Sequence, residues 1–453
     1  MHEPLYTAAE MRAAEERYPG YPGSAGELME RAGAAVAAEV LRGFPEARRV
    51  AAVCGGGANG GDGRIAARIL REAGRDVVET DDPAGAHVDL VLDALFGTGF
   101  HGAPRPEAAA VIERINACGA PVVAVDLPSG VDASTGETAG VAVDADLTVT
   151  FHGRKVGLVV SPGRFLAGRV VVVDIGLGAA PTAIVRGAPA LLDRVPRRGA
   201  RDTKFSSGSL LVVGGAPGTT SAAVLSATAA LRADAGYVTL AVPAEALPVA
   251  EALALEPVKR GFEWANAAAA LEPDLARASA LAVGPGLGRS DEARALVRAL
   301  LEGSSLPAVV DADGLFGLEP VRRDAPTVLT PHAGELARLL DVESAWVSAH
   351  RLEAAARAAE RFAAVVLLKG ADTIVRAPDG RTVVCDTGPP SLATAGTGDV
   401  LTGVVGAFLA KGLDPVDAAA AAALAHGLAA RSVPHQAGLV ASDVAAALPS
   451  VLS

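Results

Sequence analysis

The stretch Ala393 to Gly403, ATAGTGDVLTG, runs a glycine-rich turn into an apolar helical pattern and puts one acid, Asp399, at the joint. Gly396 and Gly398 allow a tight turn that aims successive N–H groups outward. The following helix adds its own unpaired N–H groups and the positive end of its dipole, so the junction is an anion site. A carboxylate there would repel a phosphate that merely binds. It has a purpose if Asp399 takes a proton from a hydroxyl while the loop holds the phosphoryl group moving onto that hydroxyl. The plainer alternative is an N-capping Asp on an ordinary helix.

Further polar residues stand at the ends of apolar runs. Asn59 and Asp62 follow RVAAVC, Asp93 follows VDLVL, and Asp126 to Ser129 follow PVVAV. A carboxylate directly after an apolar strand is costly unless paired, hydrated or bound to a cation. Asn, Asp and Ser oxygens converging on one sheet edge would suit a hard cation; singly, each could cap a helix or fix a turn. Gly55, Gly57 and Gly60, with Glu79 about twenty residues on, also satisfy a dinucleotide-binding fingerprint, but such a loop has no need of polar Asn59 and Asp62. In the second half, Lys369 follows AVVLL and can offer a cation to phosphates, and Gly370 permits close backbone approach. A snorkelling strand-end lysine is the alternative. His332 lies in a turn between strand and helix. GPGLG, from Gly284 to Gly288, is a second loop that could face a phosphate.

Two α/β runs must position these residues. The first has strands at 49–54, 88–92, 121–125, 147–151 and 170–174, a Gly-rich loop GGGANGGDG leading into a helix RIAARILREAG, and a helix over 106–117. The second begins at SLLVVGGAPG and continues through YVTLAVP, ALAVGPGLG, AVVDADG, TVLTPHAGE and VVLLKGADT to helices over 396–410 and 415–431. Alternating strands and helices predict mainly parallel sheets covered on both faces. A Pro-, Gly- and Arg-rich stretch from Gly176 to about Thr203 reads as a linker.

Composition narrows the function classes. At 453 residues the chain is long enough for two or three domains. Its net charge of −12 disfavours nucleic acid and acidic membrane as partners, though local loops can still hold anionic nucleotides. Cys54, Cys118 and Cys385 lie far apart, against a disulfide framework or zinc site. No long apolar run or signal-peptide core is present, so a cytoplasmic protein is expected.

The residues are familiar as two families in tandem. GGGANGGDG, TAAEMRAAEE, LMERAG, DALFGTGFHG, VDLPSGVD, ADLTVTF and Lys155 make the first half resemble the NAD(P)H-hydrate epimerases. The resemblance implies that Ala58, Asn59, Gly60, Gly61 and Asp62, with Gly97, Thr98, Gly99, Phe100, His101, Gly102 and Ala103, hold a hydrated nicotinamide nucleotide. By the same resemblance Asp126 would contact the same ligand, and Asn59, Asp93 and Ser129 would coordinate a potassium ion. Either Asp126 or Asp62 could shuttle the proton. The family's first loop Asn is Ala58 here, one possible hydrogen bond fewer.

Lys204, Gly208, GGAPG, GPGLG, TPHAGE, LKGADT and ATAGTGDVLTG make the second half resemble the ADP/ATP-dependent NAD(P)H-hydrate dehydratases, relatives of ribokinase-like kinases. This implies substrate at Ala222, Gly286, His332 and Asp399, nucleotide at Lys369, Gly370, Ala371, Asp372, Thr373 and Gly398, and Mg²⁺ with ADP or ATP. The expected architecture is two three-layer α/β domains, a Rossmann-like doubly wound sheet over 1–185 and a ribokinase-like domain over 191–453. A homo-oligomer is expected. Two alternatives stand beside this reading: a small-alcohol kinase, which would share Asp399 and differ in its acceptor pocket, and a non-catalytic first half. A dehydrogenase is the least favoured.

Overall fold

The computed structural model describes residues 2–453, which form two compact units: Pro4–Ile184, and Val185–Ser453 together with the N-terminal His2 and Glu3. In the first unit six strands form one parallel sheet: β1 (Arg49–Cys54), β2 (Asp76–Glu79), β3 (Leu90–Ala94), β4 (Val122–Val125), β5 (Leu147–Phe151) and β6 (Arg169–Val173), in the order β2-β1-β3-β4-β5-β6. Successive residues serve opposite faces. Ala52 and Leu92 pack with Val36, Val40, Ala66 and Leu70 from the helices Ala25–Gly43 and Ala58–Glu72. Val53 and Val91 pack with Ile112 and Ile115 of the helix Pro106–Ala117. From β1 the chain moves outward to β2 and then returns past β1 to β3. This reversal opens a crevice at the carboxyl ends of β1 and β3, where a doubly wound sheet places its ligand.

The second unit repeats the logic with β7 (Ser209–Val213), β8 (Tyr237–Pro243), β9 (Val258–Phe262), β10 (Ala280–Val283), β11 (Ala308–Val310), β12 (Thr327–Leu329), β13 (Val365–Leu368), β14 (Thr373–Arg376) and β15 (Thr382–Cys385), ordered β9-β8-β7-β10-β11-β12-β13-β14-β15. Pairing is parallel up to β13 and antiparallel from β13 to β15. The winding reverses between β7 and β10, and there the two glycine loops bond to each other: Gly215 N–H donates to Pro285 O at 2.9 Å and Ala216 N–H to Gly286 O at 2.6 Å. Leu210, Val212, Ala280 and Ala282 pack against the helices Thr220–Arg232, Thr397–Ala410, Pro415–Ser432 and Ala441–Leu452. Small residues bring these helices close; a Cβ on Gly403 would meet Ser226 O at 2.1 Å.

The linker reading is corrected. The strand Ile184–Gly187 and the 3-10 turn Pro189–Arg194 fall within the stretch, and Leu191, Leu192 and Val195 are buried in the core of the second unit. Each buried Leu contributes roughly 2 kcal/mol of apolar burial, so three apolar residues among prolines and arginines suffice to dock the segment. No described helix is long and apolar enough to cross a membrane.

Candidate active sites

In the first unit the glycine-rich loop is shorter than its sequence suggests. The helix Ala58–Glu72 starts at Ala58, with Gly57 extended at its N-cap (φ −94°, ψ −169°), so residues 58–62 form its opening turns. Gly60 lets that helix begin hard against the sheet, because a Cβ there would lie 1.9 Å from Gly55 O. Ala58 is the exposed first helical residue. Asp93 also departs from expectation: it lies inside β3, paired in register with Val53 and Ala124, and not after the strand.

The structure brings Asn59, Asp93 and Ser129 together around the backbone of Leu95–Gly97. Ser129 Oγ donates to Asp93 Oδ1 at 2.6 Å and Ser129 N–H to Asp93 Oδ2 at 2.8 Å. Phe96 N–H donates to Ser129 Oγ at 2.8 Å, while Asn59 Nδ2 donates to Phe96 O at 2.8 Å and so leaves its Oδ1 for a ligand. Burial pushes the Asp93 carboxyl up to about 6, against the hydrogen bonds from Ser129 and Leu95 that favour the anion. A buried carboxylate among amide, hydroxyl and carbonyl oxygens is the donor set of a hard cation.

Beside this cluster opens a cavity of about 960 Å³, in the range of a ligand pocket. Gly97, Thr98, Gly99, Phe100, His101 and Ala103 line it along the turn, and Ala58, Asn59, Asp62, Asp126, Lys155 and Glu15 form part of the wall. Gly60, Gly61 and Gly102 do not reach it; Gly61 faces Met29, whose Cε would lie 2.0 Å from an added Cβ. Phe100 stacks on Phe96 with centroids 4.7 Å apart. Asp126 takes a left-handed backbone (φ 68°) and pairs with Lys155 Nζ at 2.6 Å. Glu79, the acid of the dehydrogenase fingerprint, is held by Arg64 Nε at 2.8 Å, and the same guanidinium donates to Gly55 O.

In the second unit the expected residues gather around the carboxyl ends of β7, β10, β12 and β13. Gly396 (φ 89°) turns the chain into the helix Thr397–Ala410, putting Asp399 in its first turn. Ser226 Oγ donates to Asp399 O at 2.7 Å and fixes that turn. Burial, then repulsion from Asp311, raise the Asp399 carboxyl to about 7; the Lys369 ammonium works against the rise. Lys369, after β13, bonds Asp311 Oδ1 at 2.6 Å, and a Cβ on Gly398 would sit 3.3 Å from its Nζ. Lys369 thus lies beneath the anion loop. Burial lowers its pKa, and Asp311, Glu335 and Asp399 more than reverse that, so it stays raised.

Gly286 and Ala222 adjoin, with 3.1 Å between an added Cβ and Ala222 Cβ. His332 caps the helix Ala333–Leu340: its Nδ1 accepts from Gly334 and Glu335 N–H, and the Nε2 of its half-exposed ring lies 3.6 Å from Glu335 Oε1. Gly370 and Ala371 are exposed at the turn before β14, where Thr373 Oγ1 donates to Gly370 O. The Asp372 side chain departs from its expected role. Its carboxylate turns inward to Arg351 Nε at 3.0 Å, both groups buried, and Arg351 Nη2 also bonds the carbonyls of Leu368, Lys369 and Asp372, so the pair shapes the turn that carries Gly370.

Asp311 was missed, although it follows the apolar β11 as Asp126 follows β4, the very signal used in the first half. It is 1% exposed and bonds both Lys369 and Thr402. Glu15 had no signal of its own, being one of several acids on the helix Ala8–Glu16.

The comparisons bear on both units. Residues 210–450 match the family model described as NAD(P)H-hydrate dehydratase, and residues 25–83 and 75–157 match that of the YjeF-related protein N-terminus. A bifunctional NAD(P)H-hydrate repair enzyme from Moorella thermoacetica is 40% identical over 94% of this chain and 92% of that protein. Its Escherichia coli counterpart is 34% identical over 94% and 89%. The Bacillus subtilis ADP/ATP-dependent NAD(P)H-hydrate dehydratase, crystallised with ATP and Mg²⁺, superposes with a TM-score of 0.54 at 29% identity, over 58% of this chain and 94% of its own. A ribokinase-like protein from Enterococcus faecalis, 21% identical over 61% of this chain and 97% of its own with a TM-score of 0.54, shares the fold. With both halves matched in one continuous alignment, the chain belongs to the family of bifunctional NAD(P)H-hydrate repair enzymes.

Proposed function

We propose that the chain repairs NADH and NADPH hydrated on the nicotinamide ring: the first unit interconverts the R and S epimers, and the second dehydrates the S epimer at the expense of ADP or ATP. The observation that carries the reading is Asp399 in the first turn of the helix Thr397–Ala410, above the Lys369–Asp311 pair, in a chain whose other unit has its own ligand-sized cavity.

In the second unit Asp399 accepts the proton of the hydrate hydroxyl, and the freed oxygen attacks the terminal phosphoryl of the nucleotide. The N–H groups of Gly396 and Gly398 hold the transferring group, and Lys369 balances its charge from below. Phosphate, a far better leaving group than hydroxide, then departs as the neighbouring carbon loses a proton, which restores the dihydronicotinamide. His332 Nε2 and the backbone at Gly286 and Ala222 face the acceptor, and the turn at Gly370–Ala371 faces the nucleotide. Among the described residues no three His, Cys, Asp or Glu side chains gather to hold a metal; magnesium would enter with the nucleotide phosphates and neutralise part of their charge.

In the first unit the oxygens of Asn59, Asp93 and Ser129 fit potassium, which would neutralise a carboxylate otherwise buried alone. Potassium is expected to raise the melting temperature of the intact protein relative to choline at equal ionic strength, by linkage, and to accelerate epimerisation. Asp93→Asn should erase both responses; a variant that keeps the melting shift would move the ion elsewhere.

The two activities should also separate. A chain ending at Ile184, the boundary of the first compact unit, is expected to fold and bring R hydrate into equilibrium with S without nucleotide. The intact protein given mixed epimers and ADP or ATP should restore full absorbance at 340 nm. Recovery that stalls when S hydrate is spent would reject the epimerase half. A first unit that binds hydrate without interconverting it would favour a non-catalytic module.

A further inference from the structure

Resting on the epimerase reading, we propose that Asp62 carries the proton of the epimerisation, while Asp126, clamped by Lys155 and Thr150, stays a fixed carboxylate facing the cationic ring. Both acids line the same cavity, so the choice rests on what each is bonded to. Asp126 Oδ1 accepts from Lys155 Nζ at 2.6 Å and from Thr150 Oγ1 at 2.9 Å. Lys155, 1% exposed, uses its remaining donors on Thr150 Oγ1 and Phe151 O, both at 2.9 Å. The left-handed backbone of Asp126 is pinned by its N–H to Val149 O at 2.8 Å. Moving the Asp126 carboxylate away would leave a buried ammonium without its counter-ion, which is expensive. Asp126 is thus held in place.

Asp62 is in the opposite situation. It sits on the opening turns of the helix Ala58–Glu72 with Oδ1 buried and unpartnered among the described residues. The charged groups facing it are Asp126 at the end of β4, Glu15 from the helix Ala8–Glu16, and Lys155, already committed to Asp126. Arg12, His101, Arg105 and Glu107 line other parts of the wall. Burial first, then the Asp126 and Glu15 carboxylates, push the Asp62 carboxyl up to about 8, so it keeps its proton at neutral pH. Two carboxylates in one cavity are thereby set to different tasks by their surroundings.

The chemistry balances with those two groups. The ring nitrogen pushes its lone pair toward the hydrated carbon, the C–O bond breaks, and the Asp62 proton leaves with the hydroxyl as water. The cationic ring that remains faces the Asp126 carboxylate. Water then adds to the other face of the carbon, and the proton it releases returns to Asp62. No redox partner or further reactant is needed.

The test uses the intact protein and purified R hydrate of NADH without nucleotide, with S hydrate followed by chromatography. Asp62→Asn is expected to lower kcat by about 100-fold or more, within the range of general acid–base catalysis, with KM little changed. Asp62→Glu should recover part of the rate. Wild-type kcat should fall as pH rises through about 8, a limb that Asp62→Asn abolishes and Asp126→Asn keeps but moves to lower pH, since one of the charges raising Asp62 is gone. Should Asp62→Asn fail to fold, the wild-type limb and its displacement in Asp62→Glu remain as readouts. A wild-type rate flat across that range, full kcat in Asp62→Asn, or a limb that vanishes with Asp126→Asn would overturn the assignment. A wild-type protein that leaves R hydrate at its spontaneous rate would instead reject the epimerase reading itself.

Discussion

Replacing Asp399 by Asn is expected to cut dehydration by about 10²–10⁴-fold, with nucleotide affinity nearly intact. The amide keeps the shape of the first helical turn, which Ser226 holds through the backbone carbonyl and not through the carboxylate. What disappears is the base. Because the Asp399 carboxyl is raised to about 7, the wild-type kcat/KM should climb with pH up to that region and level off above it, and the Asn variant should lack the climb. The stability effect has the opposite sense. A carboxyl whose folded pKa exceeds its unfolded value contributes stability that is fully present below the ordinary carboxylate range and is lost progressively from there as pH rises to about 7. Asp399→Asn, free of this loss, should melt at a higher temperature than wild type above pH 7. A variant with wild-type turnover would end the general-base role.

Lys369→Met is expected to damage stability and chemistry together. Its ammonium is the partner of Asp311, which is 1% exposed and 2.6 Å away, and removing one member of such a pair typically costs about 3–5 kcal/mol. The Asp399 carboxyl would lose the Lys369 cation that opposes its rise at the same time, so the remaining activity should reach its plateau at higher pH. Adding Asp311→Asn should return most of the stability, since the most deeply buried carboxylate left without its cation is then neutral, without restoring turnover. Denaturant unfolding of the single and double variants separates the two effects. Equal stability of Lys369→Met and wild type would show that the pair carries no such burden.

The elements were largely readable because their signals are local. An apolar run of four to seven residues between turns is enough to call β7, β8, β10 and β13, and the helix Pro106–Ala117 is announced by its proline at the first position. The strands that escaped are the ones that break this rule. β9 carries Lys259, Arg260 and Gly261 at the edge of its sheet, and β14 and β15 are four-residue strands bounded by charged turns. The docked segment 184–195 escaped for a related reason, as a few buried apolar residues among prolines and arginines leave no periodic trace.

The sequence by itself determined which residues could do chemistry: Asp399 behind its glycine turn, Lys369 behind its strand, Asn59, Asp126 and Ser129 beyond theirs, and Asp93 at the end of an apolar run. Only the tertiary structure decided which acid meets which cation. Lys369 and Asp311 are 58 positions apart, Asp93 and Ser129 are 36, and Lys155 and Asp126 are 29. Strand order brings each pair to one sheet edge, and no local pattern encodes strand order. The same long-range packing gives Asp126 a lysine and leaves Asp62 without one, its carboxyl pushed up to about 8, because burial and neighbouring charge, not residue identity, set the free energy of the charged form.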